Sequence, residues 1–266
     1  TQNQSSAASD VYKRQLLNVE LENPKIIDIS HEISPFNLIE AAYVIKNAYS
    51  NFPRGSIHIV DIDSEQTPDQ SHIVIEMDEH FFICADNGII SLISSTIKPS
   101  KIFRINIGLH SANTINNFVK VAAHLQRGGQ LNVIGTEIFE IKELTELKPI
   151  IKSNNELICN VIYIDNYGNV ITNITKDFFE KFQANRSFVI NARNIKFKQI
   201  FSSYSESINF NKEKKYREED GKKVALFNSS DFLELSIYKS NPKTSGGASS
   251  LFGLGYGDVI SIIFYG

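Results

Sequence analysis

Cysteine is scarce in this chain, with two in 266 residues, and that scarcity excludes a disulfide-stapled scaffold. Cys84 and Cys159 both sit inside apolar, strand-like runs, where a free thiol behaves as a small buried hydrophobe. No spacing of zinc type joins them. The six histidines contain no HxxxH pair, so no helical metal-ligand pattern is present and no metal is expected. Long apolar runs are also missing. None approaches the roughly 20 residues needed to cross a bilayer. Charge of one sign does not dominate either: 27 basic against 30 acidic residues give a net charge of -3, without the basic stripe of a nucleic-acid binder. What remains is the composition of an ordinary globular protein, with the cytoplasm as its default location. Its length suits one large domain or two small ones.

Hydrophobic periodicity divides the chain. Residues 25–29 and 56–62 are β-branched runs of the kind found in buried strands. Between them, residues 38–49 carry a helical stripe at 38, 41, 42, 45, 48 and 49. Asn37 and Glu40 supply its cap and capping-box partner. Strand, helix, strand predicts a parallel βαβ unit. Residues 72–77, 80–84 and 101–107 read as further strands. Residues 113–127 read as a helix stopped by Gly128-Gly129. From about residue 155 the pattern turns to short β segments at 157–164, 187–192, 224–228, 232–237 and 258–264, with one helical piece at 176–183. Such a series suggests a small barrel or sandwich. The run 212–223 reads as a solvated loop. The expected organisation is an α/β domain over 16–150, a linker near 148–156 and a β domain over 155–266. Residues 1–15 stand apart. Thr1 to Asp10 is polar and without periodicity, which predicts disorder. Asp10-Val11-Tyr12-Lys13-Arg14-Gln15 resembles a translated adaptor, a class of segment to be set aside in fold reasoning.

The richest chemistry lies in Ile164-Asp165-Asn166-Tyr167-Gly168-Asn169-Val170. A strand-like segment runs there into a turn that carries a carboxylate, a ring, a glycine and an amide. A turn needs only Gly or Asn for its positive-φ position. Asp165, Tyr167 and Asn169 together could hold an ammonium and a purine edge. The plainer reading is a hairpin corner in which Asn169 satisfies its own backbone. Other polar clusters precede and follow it. They are Ile29-Ser30-His31-Glu32-Ile33-Ser34-Pro35-Phe36-Asn37, Asp61-Ile62-Asp63-Ser64-Glu65, Ala85-Asp86-Asn87-Gly88, Phe227-Asn228-Ser229-Ser230 and Gly246-Gly247-Ala248-Ser249-Ser250.

In this order the set resembles the S-adenosyl-L-methionine (SAM) hydrolases, also called SAM hydroxide adenosyltransferases, which are similar to the fluorinases and chlorinases. The resemblance runs from about residue 16 to 264. It implies an N-terminal, mainly parallel-sheet α/β domain followed by a C-terminal β-barrel-like domain. It also implies hydrolysis of SAM to adenosine and methionine, with SAM as substrate and no cofactor. Relatives form homotrimers, with substrate lying between the first domain of one subunit and the second domain of its neighbour. By resemblance, Asp165 accepts the substrate ammonium and Asn169 reads the purine edge. Tyr167 lines the base or ribose pocket, Asn87 lines the ribose pocket, and Ser229 meets the substrate carboxylate. The family often has Arg after that serine, where this chain has Ser230. Family members also open with a strand and a Thr-Asp-Phe-Gly-type turn whose carboxylate holds the ribose. No such turn precedes Leu16, and the expectation is a chain lacking its first strand.

The reaction itself asks little of a protein. A sulfonium is already a good leaving group, so displacement at the ribose C5′ carbon needs no general acid. It needs a water held in line and stripped of its neighbours. Relatives use an Asp-Arg-His set for this. Asp63 is the best match for the carboxylate, with Asp61 as the alternative register. No Arg follows at the expected distance; His72 lies close to that place. The third member should fall near residues 109–116, where His110 stands out of register. His31 reads as a brace for the turn before Pro35, and His58, His80 and His124 read as structural or surface residues. Two further classes stay open: a SAM or adenosine binder without catalysis, or a halide-dependent adenosyltransferase. A β-domain interaction module that binds no ligand is a third.

Overall fold

The computed structural model describes residues 6–94, 97–107, 113–217, 219 and 221–266, and the chain divides into two units, residues 1–146 and 147–266. The order is an α/β unit followed by a barrel-like β unit, as the sequence suggests.

In the first unit, helix α2 (Leu38–Ala48) begins where its cap predicts. Asn37 Oδ1 accepts from the Glu40 backbone N–H at 3.1 Å, and Glu40 Oε2 accepts from Ser34 N and Asn37 Nδ2. Its inward stripe, Ala41, Ala42 and Ile45, packs with Ile73, Ile75, Phe82 and Cys84 on one face of the sheet. Helix α4 (Thr114–Gln126), capped by Asn113, covers the opposite face with Phe118, Val121, Ala122 and Leu125. Between these helices lie β1 (Ile57–Ile59), β2 (His72–Met77), β3 (His80–Ala85), β4 (Lys101–Ile105) and β5 (Gly135–Glu137), in the order β1-β3-β2-β4-β5.

That sheet is mixed rather than mainly parallel: only β1 and β3 run parallel, and the other three pairings are antiparallel. The cause is local. Asp78 and Glu79 both take positive φ, at 52° and 61°, which makes a two-residue hairpin that must return β3 alongside β2. The expected strand at 25–29 takes no regular secondary structure and joins no ladder. A groove of about 570 Å³ separates it from β1, lined by Leu17, Ile26, Ile45, Ile57 and Ile59 among others. With no strand at hydrogen-bonding distance, residues 25–29 cannot complete the expected βαβ unit. The first residues also depart from expectation. Ser6–Glu20 forms helix α1 instead of a disordered leader. Tyr12 OH donates to Asn116 Oδ1 at 3.1 Å, Lys13 pairs with Asp61 at 2.6 Å, and Leu17 packs beside the Phe118 cluster. Residues 1–5 of that leader lie outside the described residues.

The second unit is built on β6 (Ile150–Ser153), β7 (Glu156–Ile164), β8 (Val170–Thr175), β9 (Ser187–Ala192), β10 (Ile195–Phe197), β11 (Lys223–Phe227), β12 (Phe232–Ile237) and β13 (Val259–Tyr265). The expected linker carries β6 at its centre, which pairs with β7. The main path β10-β9-β13-β7-β8-β12-β11 curls until Phe201 N–H donates to Ala225 O at 2.8 Å, bringing the two edges together. Helix α6 (Lys176–Gln183) plugs one end with Phe179, which meets Phe188, Phe227 and Phe264 edge-on or tilted. Cys84 and Cys159 are free and fully buried, and burial pushes both thiols up, Cys159 to about 12, which suits inert core residues. Among the described residues no helix is long and apolar enough to cross a membrane.

Candidate active site

In the second unit, β7 and β8 are joined by the turn at residues 165–169. Gly168 sits at φ +74°, and a Cβ there would come within 2.9 Å of Gly247 Cα. Glycine is therefore required on both counts. The close approach lets Gly168 O accept from Ser249 N at 2.8 Å, which seats the Gly246-Gly247 loop and helix α7 (Ala248–Phe252) against the turn.

Asp165 organises the turn from within. Its Oδ1 accepts from Tyr167 N and Asn169 N, both at 2.9 Å, and its Oδ2 accepts from Asn169 Nδ2 at 2.9 Å. An ionised carboxylate has about four lone-pair directions, so these three leave one open, on Oδ2. The turn's backbone is thus satisfied by Asp165 rather than by the Asn169 side chain, and one acceptor direction on Asp165 remains for a cation. Tyr167 projects outward, 69% exposed, with its ring face uncovered by the unit that carries it. Asn169 is buried, and its Nδ2 also reaches Tyr204 OH at 3.3 Å.

Two residues that the sequence reading passed over complete this set. Tyr204 OH donates to Glu234 Oε1, and Glu234 is a 4%-exposed carboxylate on β12. Burial raises the Glu234 pKa, and the charge of Asp165 adds to that rise. The Tyr204 phenol is likewise held protonated by burial and by the Glu234 carboxylate. Glu234 also takes a side-chain hydrogen bond from Asn228. Asn228 shapes the turn carrying Ser229 by accepting from Ser230 N and Phe232 N through its Oδ1. Ser229 itself is exposed at the tip of that turn. Glu234 therefore links the Asp165 turn to the Ser229 turn. The only sequence signal was a carboxylate inside the apolar strand Phe232-Leu233-Glu234-Leu235; Tyr204 lies in a serine-rich loop with no periodicity to mark it.

In the first unit the other candidates gather around the loop after β1. Asp63 is exposed and at φ +45°. Its carbonyl accepts from Asn87 Nδ2 at 3.1 Å and from Gln70 Nε2 at 2.8 Å. Asn87 also donates to Ile62 O, while its Oδ1 accepts from Ile89 N at the start of helix α3 (Ile89–Ile93). Its amide is engaged with backbone on both sides. His72 begins β2 and is buried. It is 1% exposed, packs edge-on against Phe118, and its Nε2 donates to Ser64 O at 2.8 Å. Burial lowers its pKa, which keeps the ring neutral. Asp61 is held by Ser64 Oγ and by Lys13. Of the two candidate aspartates, Asp63 is thus the one that faces water, and Asn87 and His72 set the loop's shape. His110 lies outside the described residues. His31 is exposed near Asp28 at 3.4 Å. His58 and His80 are buried together, Nε2 to Nδ1 at 3.1 Å. Among the described residues no three His, Cys, Asp or Glu side chains cluster as a metal set.

Comparisons with known proteins bear on the family and the fold. Residues 9–135 match the SAM hydroxide adenosyltransferase N-terminal domain, and residues 159–261 match the SAM hydroxide adenosyltransferase C-terminal domain. The first match begins inside the stretch read from sequence as a leader. The (R)-S-adenosyl-L-methionine hydrolase of Methanocaldococcus jannaschii is 31% identical over 268 residues, covering 95% of this chain and 89% of that protein. Among solved structures, an uncharacterized conserved protein from Thermotoga maritima superposes with a TM-score of 0.78 at 22% identity, over 98% of this chain and 96% of its own. A conserved hypothetical protein from Thermus thermophilus gives 0.70 at 18% identity, over 97% and 94%. Those two likenesses speak for the fold. The two domain matches, in order and over most of the sequence, place this chain in the SAM hydroxide adenosyltransferase family.

Proposed function

We propose that this protein hydrolyses S-adenosyl-L-methionine to adenosine and L-methionine. A water oxygen attacks the ribose C5′ carbon in line with the C–S bond. The bonding pair leaves with sulfur, the sulfonium becomes a neutral thioether, and the water loses a proton to solvent or a nearby base. The observation that carries this reading is the turn at 165–169, where a braced carboxylate with one open acceptor direction stands beside a buried amide and an exposed ring. Asp165 takes the substrate ammonium in a charge-assisted hydrogen bond. Asn169 reads the adenine edge, Tyr167 covers the base or ribose, and Ser229 meets the methionine carboxylate. Asp63 orients the attacking water. His72 and Asn87 act on that step through the backbone of residues 62–64, since their polar atoms are already bonded there. Catalysis of this kind rests on positioning and on exclusion of bulk water, so it makes no demand for a cofactor. The working enzyme is a cytoplasmic homotrimer in this proposal, with substrate shared between neighbouring subunits. The relative from M. jannaschii, named as a hydrolase of the same substrate, supports the choice of reaction.

A second reading has a specific observation behind it. The His72 and Asn87 side chains are committed to the loop backbone rather than to a water beside Asp63. A binder of SAM or adenosine without turnover would need no more. Incubation with SAM followed by chromatography separates the readings. Adenosine and methionine in equal amounts support hydrolysis. Retained, unconsumed SAM supports a binder, and 5′-halo-adenosine in the presence of halide supports a halogenase.

A further inference from the structure

A chain of hydrogen bonds runs inward from the purine-reading amide, and both of its ends are carboxylates. Asp165 Oδ2, when ionised, can only accept, so the group of Asn169 that faces it must be the NH2. The same nitrogen donates to Tyr204 OH, which leaves the phenolic proton to go to Glu234 Oε1. Glu234 is fixed in turn by Asn228 and by its place on β12, paired with Leu226 on one side and Ile171 on the other. Both amide protons of Asn169 are thereby engaged inside the protein. Among the described residues no donor reaches its Oδ1, and that oxygen is not among the sealed, unpartnered polar atoms. It is therefore not sealed from solvent.

We propose that Tyr204 and Glu234 are positioning residues that lock Asn169 with its carbonyl oxygen outward, so that the site selects a purine bearing a 6-amino donor and rejects its 6-oxo counterpart. The inference rests on the adenosine-binding reading given above and adds the polarity of the contact and the residues that set it. An asparagine free to rotate about its last bond presents either oxygen or nitrogen at little cost, and could pair with an amino or an oxo group alike. Anchoring at Asp165 and Tyr204 removes that freedom. A 6-oxo group would then meet an acceptor with an acceptor and leave both without a partner, which is the condition under which binding sites discriminate strongly. Asp165 alone supplies one of the two anchors. Tyr204 supplies the second, and Glu234 holds the phenol so that its oxygen, not its proton, faces Asn169.

The test compares adenosine with inosine by calorimetry, in the wild type and in Tyr204→Phe, Glu234→Ala and Glu234→Gln. The wild type should bind adenosine at least tenfold more tightly than inosine. Tyr204→Phe and Glu234→Ala should reduce that ratio at least fivefold. Glu234→Gln, whose amide oxygen still accepts from Tyr204, should keep it within about twofold. A merely structural role would lower both affinities together and leave the ratio unmoved. An unchanged ratio in Tyr204→Phe, with adenosine still bound, overturns this proposal and leaves the adenosine reading standing. A wild type that binds neither nucleoside overturns both. Should the variants not fold, the ligand-free wild type carries the test by NMR. The Asn169 side-chain amide protons should exchange slowly, as engaged donors, and exchange at the rate of a free amide would overturn the lock.

Discussion

Asp165 carries two duties, and its hydrogen bonds let the two be separated. Three of its lone-pair directions hold the turn, and one is open. Asp165→Asn should keep part of the turn while losing the charge; Asp165→Ala should lose both. A charge-assisted bond to an ammonium contributes about 1.5–3 kcal/mol, so the calorimetric Kd for SAM should rise at least tenfold in either variant. A Kd unchanged in Asp165→Asn would reduce this residue to a turn brace. A second residue-scale prediction concerns His58, whose pKa burial and the neighbouring His80 lower to about 4. The folded value lies below the unfolded value near 6.5, so the unfolded chain binds more protons between the two. Stability is therefore intact above about pH 6.5 and is lost as the pH falls towards 4, by roughly 3 kcal/mol in all at 1.36 kcal/mol per unit. Denaturant melts at several pH values should show that loss, and His58→Phe should flatten it. A parallel fall in the variant would assign the loss to other groups. At this scale the sequence was half legible. Asp165 and Asn169 were visible because their types are more than a turn requires, whereas Glu234 and Tyr204 were hidden because only the fold brings residue 204 to residue 234. For His72 the sequence offered only its nearness to the place of the expected Arg; the loop at 61–70 folds back over it and takes up its Nε2.

Elements with a strong period and a chemical cap are where sequence and structure coincide. The helical piece at 176–183 and the strands at 187–192 and 232–237 appear with those bounds, and α2 starts at its Asn37 cap. Strands with short or unpartnered runs fared worse. Residues 25–29 have the composition of a strand, but a strand is a pairing, and nothing in the sequence of those five residues says whether a neighbour stands within reach. β8 was missed because Val170-Ile171-Thr172-Asn173-Ile174 is broken by polar residues, which prove to be buried and bonded: Thr172 donates to Leu233 O and Asn173 to Leu147 O. The Gly246-Gly247 loop offers a test at the same scale. A Cβ on residue 247 would stand 2.7 Å from Gly168 Cα and 2.8 Å from Tyr167 O, both backbone atoms that cannot swing aside. Gly247→Ala should therefore push the two loops apart, costing about 1–3 kcal/mol and several degrees of Tm. It should also weaken SAM binding more than a remote change of equal cost, such as Gly221→Ala, where a Cβ meets nothing but strain at φ +69° remains. Equal binding in the two variants would deny the Gly247 contact any part in shaping the site.

For the molecule as a whole, the α/β unit followed by a barrel-like β unit was legible because the two patterns, long amphipathic helices and then short strands, occupy separate stretches of chain. The direction of the first sheet was not, since one two-residue hairpin at Asp78-Glu79 outweighs a general preference for parallel crossovers. Assembly belongs to this scale too. The proposed homotrimer should appear by light scattering at three times the chain's 30.0 kDa, and a monodisperse monomer that turns over SAM would remove the need for a shared site. The central claim is that a water oxygen becomes the 5′-hydroxyl of adenosine. The most direct measurement is single-turnover incubation with SAM in H2(18)O, followed by mass spectrometry of both products. The account predicts one heavy oxygen in adenosine and none in methionine. Unlabelled adenosine, label in methionine, or SAM recovered intact from a protein that binds it would contradict the account.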